Sequence, residues 1–205
     1  MIKLTENFST TVLLEDIIIP NNWDITVTLL PDPSKNKLFG IAIDRLQYYI
    51  SEILNNSIFV SRHNIGTLSD LQLKAQVHIF PDEPWDQLVA MCLYVKFNSI
   101  LEGVFIVDDI SIASHQAKGV SHSYEEADGG VTYLLEEYDS DDDREYVSYW
   151  YKPISQFFLL SEGLKLVTQD WRELELDYSP KNSAPSSNYK KPGESDNTNE
   201  PPSES

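Results

Sequence analysis

Polar and apolar residues alternate in two stretches of the first half of the chain, as they do in half-buried β-strands. The alternation covers WDITVTLL at residues 23–30 and LQLKAQVHIF at residues 71–80, and the apolar run SIFVS at residues 57–61 predicts a third strand. From Leu38 to Leu54, apolar residues recur three and four positions apart, which predicts a helix with one buried face. That face contains Phe39, Ile43, Leu46, Ile50 and Ile53.

A second helix is predicted within FPDEPWDQLVAMCLYVKFNSILEG, residues 80–103. Asp82 is a suitable N-cap, and Pro84 is tolerated in a first turn because its missing N–H would be unpaired there. Gly103 can take the left-handed conformation that ends helices. Its apolar residues are those that a core-facing helix needs, so we interpret this helix as scaffold. The following VFIVDDISIAS, residues 104–114, predicts another strand.

The predicted order is strand, helix, strand, strand, helix, strand, which is the split βαβ arrangement of ferredoxin-like folds. We therefore expect an α+β fold of the βαββαβ type, with two helices on one face of an antiparallel sheet. This domain would cover residues 1–119, including an N-terminal strand segment, and an acidic, tyrosine-rich extension at residues 120–178 would pack on it. In the extension, VTYLL and YVSYWY predict short strands, and ISQFFLL and GLKLV predict apolar pieces that dock back.

The last part of the chain, residues 179–205, consists largely of Ser, Pro, Asn, Glu and Lys and has one aromatic residue. It cannot bury enough surface to offset the entropy of ordering, so its composition predicts disorder. A passive solubilising tail is the simplest interpretation, and a short linear binding motif is the alternative.

The formal net charge is −18, and half of it lies in residues 123–145. Such a charge repels nucleic-acid phosphate and anionic lipid, so we expect neither direct nucleic-acid binding nor membrane binding. The acidic segment is the candidate interaction patch for a protein partner, and a basic partner is favoured. It could instead mimic nucleic acid and inhibit a DNA-binding protein, or only keep the protein soluble. The patch contains Glu125, Glu126, Asp128, Glu136, Glu137, Asp139, Asp141, Asp142, Asp143 and Glu145.

Catalytic and metal-binding signatures are lacking in the sequence. The run DSDDDRE resembles the start of a calcium loop, but Arg144 and Trp150 stand where the glycine and the bidentate glutamate are required. The four histidines form no metal-binding pair. Asp108, Asp109 and His115 are the nearest approach to an enzyme site. We therefore predict a protein that is not an enzyme, without catalytic or metal-binding residues and without a cofactor.

One cysteine, Cys92, excludes a disulfide within the chain, and its place on the apolar pattern predicts a buried thiol. The first residues do not read as a signal peptide, and no apolar run approaches the roughly 20 residues of a membrane span. These features predict a cytoplasmic protein, with a place in a virion as an alternative.

Two stretches resemble uncharacterised proteins of large tailed bacteriophages. They are PNNWDITVTLL and FPDEPWDQLVAMCLYVKFNSILEGVFIVDDISIAS, and the resemblance covers residues 17–114. It implies a phage origin and the cytoplasm of the infected host, and it assigns no catalytic residue.

Three functions remain open from the sequence. The first is a non-enzymatic interaction module that binds a host or phage protein through the sheet face or through residues 120–151. The second is a structural or assembly protein associated with the virion. The third is an enzyme whose site would bring Asp108, Asp109 and His115 together in a concave pocket.

Overall fold

The computed structural model of the protein describes residues 1–15, 17–68, 74–125 and 144–179. In these ranges, eight strands form one mixed sheet, and the long helices pack on one of its faces. An α+β fold is thereby confirmed. The strands are β1 (Ile2–Leu14), β2 (Ile17–Pro31), β3 (Ser57–Ser61), β4 (Ala75–Phe80), β5 (Phe105–Ser114), β6 (His122–Glu125), β7 (Ser155–Leu160) and β8 (Gly163–Thr168).

Strands β1 and β2 form a long antiparallel hairpin at the centre of the sheet. Phe8 lies opposite Trp23, and their rings stack with centroids 6.1 Å apart on the face that the helices cover. The indole Nε1 of Trp23 donates a hydrogen bond of 2.7 Å to Thr10 Oγ1, so the buried N–H has a partner. On the opposite face the hairpin carries Thr, Ser and Asn side chains, which explains the alternating pattern of residues 23–30.

The order of the strands, β6-β5-β2-β1-β3-β4-β7-β8, corrects the predicted ferredoxin-like topology. That prediction required an antiparallel sheet, but β1 pairs with β3 in parallel and β3 pairs with β4 in parallel. Parallel neighbours need a connection of about a dozen residues or more. The connection between β3 and β4, residues 62–74, is long enough for this, and it contains the helical turn α2 (Ile65–Leu68).

Helix α1 (Phe39–Tyr48) follows a 3₁₀ turn, Pro33–Leu38, that Asp32 caps by accepting a hydrogen bond from Ser34 N. A wider π turn, Tyr49–Leu54, continues the helix. The predicted helix is therefore confirmed. Because the π turn holds an extra residue, it brings Tyr49 and Leu54 into the core beside the expected Ile50 and Ile53.

Helix α3 (Asp86–Leu101) is the second predicted helix. Its N-cap is Trp85, not Asp82, and Asp86 in the first turn accepts a hydrogen bond from Ser114 N. The helix ends next to Gly103, which has the predicted left-handed conformation at a φ of +70°, but the C-cap is the preceding Glu102, which is also left-handed at a φ of 48°. Cys92 is buried as expected, and burial raises the pKa of its thiol well above the ordinary value.

Residues 144–179 join the same sheet. Helix α4 (Arg144–Tyr151) packs on α3 and β4, and β7 pairs antiparallel with β4. The prediction of a strand at YVSYWY is wrong, because the segment is helical, and Tyr149 and Trp150 contact the rings of His78 and Phe80 from it. The boundary predicted at residue 119 stays a prediction, and residues 180–205 of the predicted tail lie outside the described ranges.

After β8, residues 171–178 cross the ends of α1 and α3, where the buried Arg45 holds them. Arg45 Nε donates to Leu176 O at 2.6 Å, and its guanidinium carbon lies 3.5 Å from the ring centroid of Tyr178 and 4.6 Å from that of Trp171. The same guanidinium forms a 3.0 Å ion pair with Glu102. We call residues 171–178 the C-terminal strap.

Candidate functional site

The residues of the hypothetical enzyme site do not converge. Asp108 and Asp109 lie at an irregularity in the pairing of β5 with β2, whereas His115 lies beyond the end of β5. The separation of Asp109 from His115 along the strand is about 20 Å. His115 Nε2 lies 3.4 Å from Asp24 Oδ2, in a pair that is more than half exposed. In the described ranges, no group of three or more His, Cys, Asp or Glu side chains could hold a metal ion.

Two residues of the predicted acidic patch belong to described elements. Glu125 is exposed on β6, where it lies opposite Asp109 of β5, and Glu145 belongs to α4. Partial burial raises the pKa of Asp109 above its ordinary value, with an opposing contribution from Lys3 and a smaller raising one from Asp108. The other eight patch residues lie outside the described ranges: Glu126, Asp128, Glu136, Glu137, Asp139, Asp141, Asp142 and Asp143.

A groove of about 640 Å³ opens near this end of β5, between α3, β5 and the end of α4. Its lining is mainly apolar, and two of its side chains are well exposed, Ile106 by 54% and Tyr151 by 42%. The remaining lining residues are Tyr94, Val95, Asn98, Ser99, Glu102 and Pro153. We call this feature the α3–β5 groove.

Side-chain hydrogen bonds from α3 fix two walls of the α3–β5 groove. Ser99 Oγ donates to Tyr151 O at 2.6 Å and so holds the end of α4 against α3. Asn98 Oδ1 accepts a 3.0 Å hydrogen bond from Val107 N, and its Nδ2 donates to Tyr94 O. These hydrogen bonds tie the α3 wall of the groove to the end of α4 and to β5.

The pairing of β5 changes beside the groove. Strand β6 covers β5 from Ile112 back to Asp109 and ends at Glu125. Within the described ranges no strand pairs with residues 105–107 on that side, so β5 meets α3 directly through Asn98. The side chain of Ile106 is exposed at this part of β5.

The surroundings of the α3–β5 groove are acidic. Glu102 lines it, with one carboxylate oxygen 3.0 Å from Arg45 Nη1. Asp108 stands two residues from Ile106 along β5, about 7 Å away, and Asp109 and Glu125 follow as a cross-strand pair. Like charges opposite each other in a sheet are unfavourable, and Lys3 offsets part of this repulsion at Asp109.

A second cluster of chemically active side chains lies buried beneath α4. Tyr149 Oη lies 2.7 Å from His78 Nδ1, and His78 Nε2 lies 3.1 Å from Ile53 O. In the consistent tautomer, Tyr149 donates to His78 and His78 donates to Ile53 O. Burial lowers the pKa of His78 to about 3, so the ring is neutral near pH 7.

Lys96 completes the buried cluster. Its Nζ donates to Tyr149 O at 2.6 Å and to Lys152 O at 2.7 Å, which satisfies carbonyl groups at the end of α4. Burial lowers the pKa of Lys96 well below its ordinary value. The cavity lined by Cys92 and Trp150 measures only about 10 Å³, about enough for a single water molecule. His78, Lys96 and Tyr149 are themselves buried and hydrogen-bonded, so the cluster supports the fold.

Sequence reasoning did not identify the groove residues. Ile106 stands in the unbroken apolar run VFIV of residues 104–107, where alternation would place a polar side chain on the exposed face. That break in alternation is the signal that could have marked it. Tyr151 carried no comparable signal, because YVSYWY was interpreted as a strand.

Comparisons with known proteins do not assign this chain to a family. No family model matches it, and no curated protein matches it. An uncharacterised protein, WS1659, from Wolinella succinogenes has a TM-score of 0.42 at 9% identity, over 60% of this chain and 96% of that one. A catalytic-residue mutant of 6-pyruvoyltetrahydropterin synthase from Plasmodium vivax has a TM-score of 0.36 at 6% identity, over 60% and 94%.

These similarities are too low to support an argument about function. The resemblance to phage proteins and the expected cytoplasmic location stay predictions. Among the helices that the structure describes, none combines the length and the apolar character required to cross a membrane.

Proposed function

We propose that this chain is a non-enzymatic interaction module, and that its α3–β5 groove binds a short extended segment of a partner protein that carries basic and apolar residues. The observation that carries the proposal is the exposed pair Ile106 and Tyr151 in a concave, mainly apolar groove with acidic surroundings. Partly exposed aromatic and aliphatic side chains in such concavities are typical anchors of protein interfaces.

The dimensions of the groove favour a peptide segment. The wall formed by α3 runs from Tyr94 to Glu102, which corresponds to about 12 Å along the helix axis. An extended chain covers that length with about four residues. The described lining includes one carboxylate, Glu102, and it is already paired with Arg45, so the groove has no evident group for acid–base catalysis.

Charge favours a basic segment. The chain carries −18 overall; Asp108, Asp109 and Glu125 lie along β5 and β6, and Glu102 lies at the end of α3, with Arg45 and Lys3 offsetting part of their charge. A cationic side chain of the partner segment, next to its apolar anchor residue, would enter a region of negative potential. Such complementarity mainly accelerates association and excludes acidic partners.

The direct test is selection of random twelve-residue peptides against the full chain, followed by titration of labelled selected peptides by fluorescence anisotropy. We expect the selected peptides to share a bulky apolar residue next to Lys or Arg. Ile106→Asn and Tyr151→Ser should each weaken binding at least tenfold, or about 1.4 kcal/mol. The matched control is Ile17→Asn, because Ile17 is similarly exposed, by 61%, at the tip of the central hairpin.

Ionic strength separates the electrostatic contribution to binding from the apolar contribution. Affinity should fall between about 0.05 and 0.5 M salt because exposed charge pairs are screened over about 10 Å or less. Selected peptides that are acidic, or that bind Ile106→Asn as tightly as the unmodified chain, would refute the groove as the binding site.

A further inference from the structure

The end of the C-terminal strap lies next to the α3–β5 groove. Tyr178 Oη donates a 3.2 Å hydrogen bond to Leu101 O, and Leu101 directly precedes the groove residue Glu102. Arg45 connects the two features, because it contacts the ring of Tyr178 and also pairs with the Glu102 carboxylate. The chain beyond residue 179 therefore starts beside one wall of the groove.

The sequence beyond the strap contains a segment with the chemistry expected of the partner. Residues 189–192 read YKKP and combine the single aromatic residue of residues 179–205 with two adjacent lysines. Elsewhere in that part of the chain the charged side chains are Lys181 and four acids. Residues 189–192 are thus its one basic and aromatic segment.

The connection is long enough for this segment to reach the groove. Tyr189 is eleven positions after Tyr178, and an extended chain of that length spans at most about 36–40 Å. The groove wall on α3 begins beside Tyr178 and is about 12 Å long. A short connection of this kind gives an effective concentration of about 1 mM, so even a weak contact is populated.

We infer that residues 189–192 of this chain occupy its own α3–β5 groove and compete with the partner segment. The aromatic residue of this segment suits the apolar lining at Ile106 and Tyr151, and its two lysines suit the acidic residues beside the groove. This inference rests on the proposed function of the groove. Residues 189–192 would then act as an intramolecular competitor, so a partner would have to bind the groove more tightly to displace them.

The test compares two full-length variants in the same anisotropy titration with a selected peptide as probe. The first, Y189S/K190S/K191S, removes the competitor. The second, K181S/N182D, makes the same change in net charge nearer the strap. If the tail binds its groove with a Kd of about 0.1 mM, the first variant should bind the probe about tenfold more tightly, and the second should match the unmodified chain.

A second measurement does not depend on the partner probe. A labelled synthetic peptide of residues 183–194 is titrated against Y189S/K190S/K191S and against the same variant with Ile106→Asn. We expect binding near 0.1 mM to the first protein and a loss of at least tenfold with Ile106→Asn.

The outcomes separate the two proposals. Equal probe affinity of Y189S/K190S/K191S and the unmodified chain, with binding still lost in Ile106→Asn, overturns tail occupancy and leaves the groove function standing. Failure to select any groove-dependent peptide, with residues 183–194 still bound, overturns partner binding and supports tail occupancy. A peptide of residues 183–194 that does not bind at about 1 mM overturns tail occupancy.

Discussion

Two regions next to α3 and α4, the buried cluster and the α3–β5 groove, differ in whether their side chains are enclosed or exposed. In the buried cluster, His78, Tyr149 and Lys96 are enclosed, and each has hydrogen-bond partners. In the α3–β5 groove, Ile106 and Tyr151 are exposed beside empty volume, while the polar groups of the walls bond to each other. The ionisable residues of the buried cluster therefore stabilise the fold, whereas the exposed Ile106 and Tyr151 are accessible to another molecule.

This difference predicts a gradient of effects on stability. Substitution of a buried, hydrogen-bonded polar residue should lower the free energy of unfolding strongly. Substitution in the groove should change binding and leave the free energy of unfolding nearly unchanged.

The largest effect is expected for Arg45→Met. It removes hydrogen bonds to Leu176 O and Ile100 O and the pairing with Glu102, so we expect a loss of about 3 kcal/mol in the free energy of unfolding. Hydrogen exchange should also accelerate in residues 171–178. Urea denaturation and exchange measure both changes. Arg172→Met is the control, because the Arg172 side chain is 74% exposed, and equal losses in both variants would disprove the role of Arg45.

A smaller loss, about 2 kcal/mol, is expected for Lys96→Met. Two buried carbonyl groups, Tyr149 O and Lys152 O, lose their donor, and the relief of lysine burial offsets part of that cost. Thermal or urea denaturation measures the change, with Lys37→Met as an exposed control expected within about 0.5 kcal/mol. A stabilised Lys96→Met protein would show that burial of the amine outweighs its hydrogen bonds.

The buried cluster also predicts an acid sensitivity. The pKa of His78 is about 3 in the folded chain and about 6.5 in an unfolded one, so between these values only the unfolded chain gains a proton. His78 should therefore lower stability as pH falls below about 6.5, by up to about 1.4 kcal/mol per pH unit. Denaturation at several pH values should show a flatter profile for His78→Gln, and parallel profiles would contradict a neutral, buried His78.

The smallest effect on stability is expected in the groove. Ile106→Asn should cost less than about 1 kcal/mol, because more than half of the side chain is already exposed. A loss comparable to that of Lys96→Met would place Ile106 in the core and remove the distinction between the two regions.

Local periodicity was enough to predict the two long helices. The apolar residues of α1 and α3 repeat at helical spacing over more than two turns, and Gly103 follows directly on the C-cap of α3, Glu102. The segment of α4 was ambiguous, because Tyr146, Tyr149 and Trp150 suit a helical face, whereas aromatic residues also favour strands.

The order of the strands was not predictable from local pattern. Strand pairing joins distant residues, such as Ala75 with Leu159, and parallel pairing depends on what a connection can span. The groove was hidden for a related reason, since its walls come from α3, β5 and the end of α4. The acidic charge of the chain follows directly from the sequence, but most of the predicted acidic patch lies outside the described ranges.

The link between Arg45 and Leu176 has a consequence for how the protein is made. The two residues are 131 positions apart. At a synthesis rate of about 5–20 residues per second, the Arg45 guanidinium is made roughly 7 to 26 seconds before its acceptor exists. During translation the Arg45 side chain therefore lacks this contact, and completion of the fold waits for the last part of the chain to leave the ribosome.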